Sequence, residues 1–127
     1  MNLNSKSKEI NLFEDKRFKN AVSLFNSQKW YEAHDLFEEI WHETIGPERK
    51  TIQAILQIAV AQLHIDRGNI KGATILYGEA LGRLKDSLEY SVGFDIDNLI
   101  STVDYKLKEM QSKNSCSSSV NPYINAY

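Results

Sequence analysis

The sequence predicts an all-α fold, a compact multihelical bundle of about five helices containing two antiparallel helical hairpins of the tetratricopeptide type. Three observations predict it. Apolar residues recur at three- and four-residue intervals in five separate segments, and turn signals such as Gly46-Pro47 and Gly68-Asn69 divide those segments. One segment also repeats: Trp30, Ala33, Leu36, Phe37 and Ile40 align with Ile70, Ala73, Leu76, Tyr77 and Ala80 at a constant offset of 40 residues. A small residue followed four positions later by an aromatic lets two helices approach while the ring fills the next layer. That is the packing of tetratricopeptide hairpins, although their usual period is about 34 residues.

Each element follows from a local pattern. Phe18, Ala21, Val22, Leu24 and Phe25 share one side of a first helix over about 14–27. Ala33, Leu36, Phe37 and Ile40 give a second over about 30–44, which Gly46-Pro47 stops. Pro47 suits the first position of a third helix, where Glu48 meets the positive end of the dipole. That helix runs to about Arg67 and is apolar on nearly every side from Ile52 to Ile65, as expected of an element surrounded by others. Gly68-Asn69 ends it and starts a fourth helix to about Glu89, through Ala73, Leu76, Tyr77, Ala80, Leu81 and Leu84. Gly72, Gly78 and Gly82 weaken this helix and are expected to permit close helix contact. Asp95 caps a fifth helix carrying Ile96, Leu99, Ile100, Val103, Leu107 and Met110. Residues 1–112 form one domain in this reading, and 113–127 a disordered, Ser-rich tail.

Composition narrows the function classes. The chain has 127 residues, enough to bury about two thirds of its unfolded surface without a metal or disulfide staple. With 15 basic and 17 acidic side chains the net charge is -2, which offers no positive field for a phosphate backbone; no nucleic acid is expected as partner. The longest apolar stretch, around Ala54 to Leu63, is interrupted by Gln57 and Gln62, so no membrane partner is expected. A single cysteine, Cys116, points to a reducing compartment and a cytoplasmic location.

The residues that invite chemistry lie on the second and third helices. At 100° per residue His34, Glu38 and Trp41 fall within about 60° of one another, with Asp35 and Glu39 further round toward solvent. Gln53, Gln57 and His64 fall within about 40° on the third helix, with Arg67 close by, a polar line on an otherwise apolar rod. Polar groups buried there need partners, and the His34/Glu38 face is the natural one. The candidate pocket is therefore His34, Glu38, Trp41, Gln53, Gln57, His64 and Arg67. Two histidines and a carboxylate, His34, Glu38 and His64, match a ligand set for a divalent metal, zinc or iron, or an acid/base pair. The structural alternative is a polar network that only holds the helices in register. His42 complements the dipole at the end of its helix. Trp30, Trp41 and Tyr77 read as core fillers, and Glu32, Asp35, Glu39 and Glu43 as a solvated face that could dock a basic partner. Walker, Gly-x-Gly-x-x-Gly, Cys-x-x-Cys, Gly-x-Ser-x-Gly and His-Glu-x-x-His motifs are absent.

Phe25-Asn26, Trp30-Tyr31-Glu32-Ala33-His34-Asp35, Glu38-Glu39-Ile40-Trp41, the run Ile55 to Ala61, His64, Arg67-Gly68-Asn69 and Gly72-Ala73 agree in order and spacing with one family. Over about Phe18 to Leu88 the chain resembles the bacterial and archaeal proteins catalogued as domain of unknown function 309. The family pattern reads Glu-Ala-His-Glu followed by Glu and Trp, so His34, Glu38 and Trp41 carry over and Asp35 stands where Glu is usual. The resemblance implies a compact helical fold with no established activity, though some members are labelled metal-dependent hydrolases, and its motif includes His34, Glu38, Gln57 and His64. Two functions follow as expectations. The first is a helical interaction or scaffold module with a protein partner or a second copy in a homodimer. The second is a metal-dependent hydrolase or small-molecule-binding protein using His34, Glu38 and His64.

Overall fold

The computed structural model describes residues 8–116 and 120–127, and its centre is a pair of helical hairpins that share one turn design. The first hairpin is α1 (Lys16–Asn26) and α2 (Trp30–Glu43); the second is α3 (Glu48–Asp66) and α4 (Ile70–Asp86). In the first turn Gln28 N–H donates to Phe25 O at 3.0 Å and Lys29 N–H to Leu24 O at 2.9 Å. In the second, Gly68 N–H donates to Ile65 O at 3.0 Å and Asn69 N–H to His64 O at 2.8 Å, the same bonds 40 positions later. Both are Schellman closures, which need a residue in the left-handed region just past the helix. Gln28 supplies it at φ 60° and Gly68 at φ 78°. The repetition visible in the side chains is thus repeated in the backbone.

The apolar positions behave as their spacing predicts. Phe18, Phe25, Ala33, Phe37, Ala73, Tyr77 and Ala80 are all fully buried, and α3 contributes Ile52, Ile55, Ile58 and Ala59 from between α2 and α4. Rings interlock at hairpin contacts: Phe18 and Phe37 lie 5.6 Å apart edge to face, and Phe25 and Trp30 lie 5.0 Å apart. Side-chain caps start three helices, with Asp15 on Arg17 N–H, Asn69 on Gly72 N–H and Asp95 on Asn98 N–H. A buried hydroxyl chain joins the start of α3 to the end of α4, where Thr51 and Ser87 meet at 2.7 Å and Ser87 donates to Arg83 O.

Four details depart from the sequence reading. Helix α4 stops at Asp86, and Ser87–Glu89 forms a separate 3₁₀ turn. Glycines 78 and 82 do not admit a neighbouring helix, since a Cβ built at either meets nothing within 4 Å; at Gly72 the space is filled by the Asn69 cap. A two-residue parallel pairing joins β1 (Lys8–Glu9) to β2 (Tyr90–Ser91), which hydrophobic periodicity could not announce in so short a segment. Finally, α5 (Ile96–Lys113) extends into the stretch expected as a tail, and residues 120–127 of that stretch dock against the helices. Asn26 holds Ile124 by a reciprocal pair, Nδ2 donating to Ile124 O at 3.0 Å and Oδ1 accepting from Ile124 N–H at 2.9 Å. Ile124 is 2% exposed, and Phe94 bridges Ala126. Serines 117–119, part of the same expectation, lie outside the described residues.

Candidate functional site

Helix α2 buries one stripe, Trp30, Ala33, Phe37 and Ile40, and the next stripe round carries His34, Glu38 and Trp41, all half-buried. Two atoms on that second stripe stand out. The Nδ1 of His34 and the Nε1 of Trp41 are shielded from solvent and make no hydrogen bond. Asp35 Oδ1 lies 3.3 Å from His34 Nδ1, but outside hydrogen-bond geometry. From the first turn of α3, Arg49 reaches back so that its guanidinium carbon sits 3.9 Å from the Trp41 ring centroid, a cation–π contact, while its Nε donates to Trp41 O at 3.3 Å. The exposed His42 ring lies 5.0 Å from the Trp41 ring.

The polar line of α3 finds its partners elsewhere. Gln57 donates from Nε2 to Glu79 Oε1 at 2.8 Å and accepts at Oε1 from Arg83 at 3.1 Å, so both of its bonds go to α4. His64 meets the Asn69 side chain at 3.2 Å. Because Asn69 Oδ1 is already taken by Gly72 N–H, its amide nitrogen faces the ring, and His64 must accept at Nδ1 in the tautomer protonated at Nε2. Gln53 is half-buried without a side-chain hydrogen bond among the described residues, and Arg67 is exposed at the end of α3.

These placements give the two polar stripes separate partners. No hydrogen bond or ion pair links His34 or Glu38 to Gln53, Gln57 or His64 among the described residues. Nor are any three His, Cys, Asp or Glu side chains among the described residues, His34, Glu38 and His64 included, gathered as a group that could hold one metal ion. The physical reason is that α3 packs against two helices, and angular position alone does not say which neighbour a polar residue meets. The acidic row is divided as well: Glu39 and Glu43 both accept from Arg17 of α1, at 3.3 and 2.9 Å, while Asp35 stays exposed. That pairing pulls the Glu43 carboxyl below its ordinary value.

Sequence reasoning missed Arg49, Glu79 and Arg83. The last two were detectable as an i,i+4 pair of opposite charge on one face of α4. It also missed a second polar group, buried beneath the docked C-terminal segment. Tyr77 donates to Gln62 Oε1, Gln62 Nε2 reaches Asn121 Oδ1 at 3.5 Å, and Lys106, 2% exposed, donates to Val120 O at 2.9 Å. Burial pushes the Tyr77 phenol well above its usual range and draws the Lys106 amine down.

Residues 18–76 match the family described as Domain of unknown function (DUF309), which the chain resembles. The matched stretch holds both hairpin turns, the His34–Glu38–Trp41 stripe, Gln57 and His64, and it leaves α5 and the docked C-terminal segment outside. No curated protein matches the chain.

Proposed function

We propose that this chain, whose family likeness brings no activity with it, is a helical interaction module that recognises a partner through the His34–Glu38–Trp41 stripe of α2. One observation carries the reading: two ring nitrogens on that stripe, His34 Nδ1 and Trp41 Nε1, are buried and make no hydrogen bond among the described residues. A buried polar atom left unpaired costs about 1–3 kcal/mol, and native structures rarely keep two on one helix face unless something meets them. A bound segment offering one donor or acceptor to each nitrogen recovers that cost on binding. Trp and Arg are also the side chains that most often anchor interfaces, and Arg49 presents its outer guanidinium nitrogens beside Trp41. The repeated hairpins support a tetratricopeptide-like scaffold role, and the lone cysteine supports a cytoplasmic setting.

The test separates recognition from a purely structural network. Replacing a satisfied network member destabilises the free protein by about 1–3 kcal/mol, whereas removing an unpaired buried polar atom leaves stability unchanged or raised. His34→Leu should therefore fold with undiminished stability, Trp41→Phe should lose no more than the packing and cation–π contact of its smaller ring, about 1 kcal/mol, and both should lose capture of a partner by a photo-crosslinker placed at exposed position 35. A loss of more than about 1 kcal/mol in both variants, or identical crosslinked species with and without them, would sink the proposal.

A further inference from the structure

Where the 3₁₀ turn Leu12–Glu14, α1 and the α2–α3 corner meet, a cleft of about 350 Å³ opens, within the size range of small-molecule sites. Its floor is apolar: Leu12, Phe18, Ile40 and Ile52 line it and are each under a tenth exposed. Its rim is of one sign. Glu14, Asp15 and Glu48 line the cleft, and among the described residues no Lys, Arg or His does. Arg17, two residues beyond Asp15, is committed to Glu39 and Glu43 and reaches Asp15 only at 3.6 Å. The side chains of Glu14 and Glu48 make no hydrogen bond or ion pair among the described residues. The Glu48 carboxylate folds over the corner, where a Cβ at Gly46 would stand 2.3 Å from Glu48 Oε1.

We propose that this cleft binds a small organic cation, an ammonium or guanidinium carried on an apolar body. The apolar body takes the Leu12–Phe18–Ile40–Ile52 floor, and the charge sits among the three carboxylates with Asn11 and Thr44 as further polar contacts. A chelated metal ion fits less well, since no three of the described carboxylates are gathered closely enough to hold one. Carboxylates spread round an apolar floor instead match a delocalised or chain-borne charge. The site shares none of its residues with the His34–Glu38–Trp41 stripe, so it stands or falls separately from the interaction reading.

The test is titration of the full chain with phenethylammonium, followed by methyl and amide NMR, with 2-phenylethanol as the neutral isostere. Shifts should centre on Leu12, Ile40 and Ile52, and the ammonium should bind at least tenfold more tightly than the alcohol. Raising salt should weaken it. Glu14→Gln and Glu48→Gln, tested singly and together with folding checked by circular dichroism, should each weaken binding, about tenfold for the pair. A lysine-containing tripeptide run in parallel distinguishes sources: preference for the free amine supports a metabolite, and preference for the peptide assigns the same chemistry to a partner's side chain. Equal affinity for amine and alcohol, shifts centred elsewhere, or unchanged binding by the double variant would overturn the proposal.

Discussion

At the scale of single residues, the two titratable groups buried beneath the C-terminal segment make opposite demands on pH. The folded protein keeps the Tyr77 phenol protonated above pH 10, where the unfolded chain begins to lose that proton. The unfolded state then binds fewer protons, and stability falls as pH rises past 10. Lys106 works the other way. Its folded value is depressed below 10.5, so as pH climbs toward 10.5 the folded amine gives up its proton first and stability rises over that window. Tyr77→Phe should remove the alkaline loss while costing about 1–3 kcal/mol at neutral pH, because it strands Gln62 Oε1. Lys106→Met should remove the rise below 10.5. Urea unfolding of both variants at pH 7, 9 and 10.5 checks the signs. None of this was legible in the sequence: Gln62, Tyr77 and Lys106 lie on three helices, and the eight residues that cover them read by composition as a tail. His34, Glu38 and Trp41 were legible as one face because a shared face is a property of one helix. Which neighbour that face meets is a property of several.

At the scale of elements, the two Schellman turns form a matched pair differing at the residue that must take positive φ. A non-glycine residue in the left-handed region costs roughly 1–2 kcal/mol, and Gln28 bears that cost where its counterpart Gly68 does not. Gln28→Gly should stabilise by about 1 kcal/mol, less what is lost with the Gln28 Nε2 bond to Asn26 O. Gly68→Gln should destabilise by a similar amount, since nothing stands within 4 Å of a Cβ there and the backbone alone decides. Glycines 78 and 82 give the contrast: at negative φ in open space, either changed to Ala should gain up to about 1 kcal/mol. Thermal melts of the four variants test the set. Helix positions were readable from sequence to within a few residues because apolar period, Gly-Pro and Gly-Asn signals and capping Asp agree along the chain. The glycines were misread because sequence shows that a side chain is missing, not what lies opposite.

At the scale of the whole molecule, the segment from Tyr90 to Asp95 gathers two distant stretches of chain. Residues 8–12 pair with it through Ile10 N–H to Ser91 O and Leu12 N–H to Val92 O. The C-terminal stretch does so through Asp95 N–H to Asn125 O and Tyr127 N–H to Gly93 O, with Ile124 seated in the core. Ile124→Ala should cost about 2–5 kcal/mol, the range for emptying a well-packed aliphatic site, and a chain ending at 119 should lose more. A cost near zero in either would return residues 120–127 to the disordered tail that their composition suggests.

That convergence also orders events in time. The hairpins close over turns of three residues, whereas β1 must find β2 across some eighty intervening positions, and the entropy of closing so long a loop is met only after the hairpins exist. The Tyr90–Asp95 meeting place should therefore form last and open first. In native-state hydrogen exchange, the amides of Ile10, Leu12, Ile124 and Tyr127 should escape protection through partial openings while those of α3 wait for global unfolding. The molecule is latched where residues 8–12 and 124–127 meet a single segment.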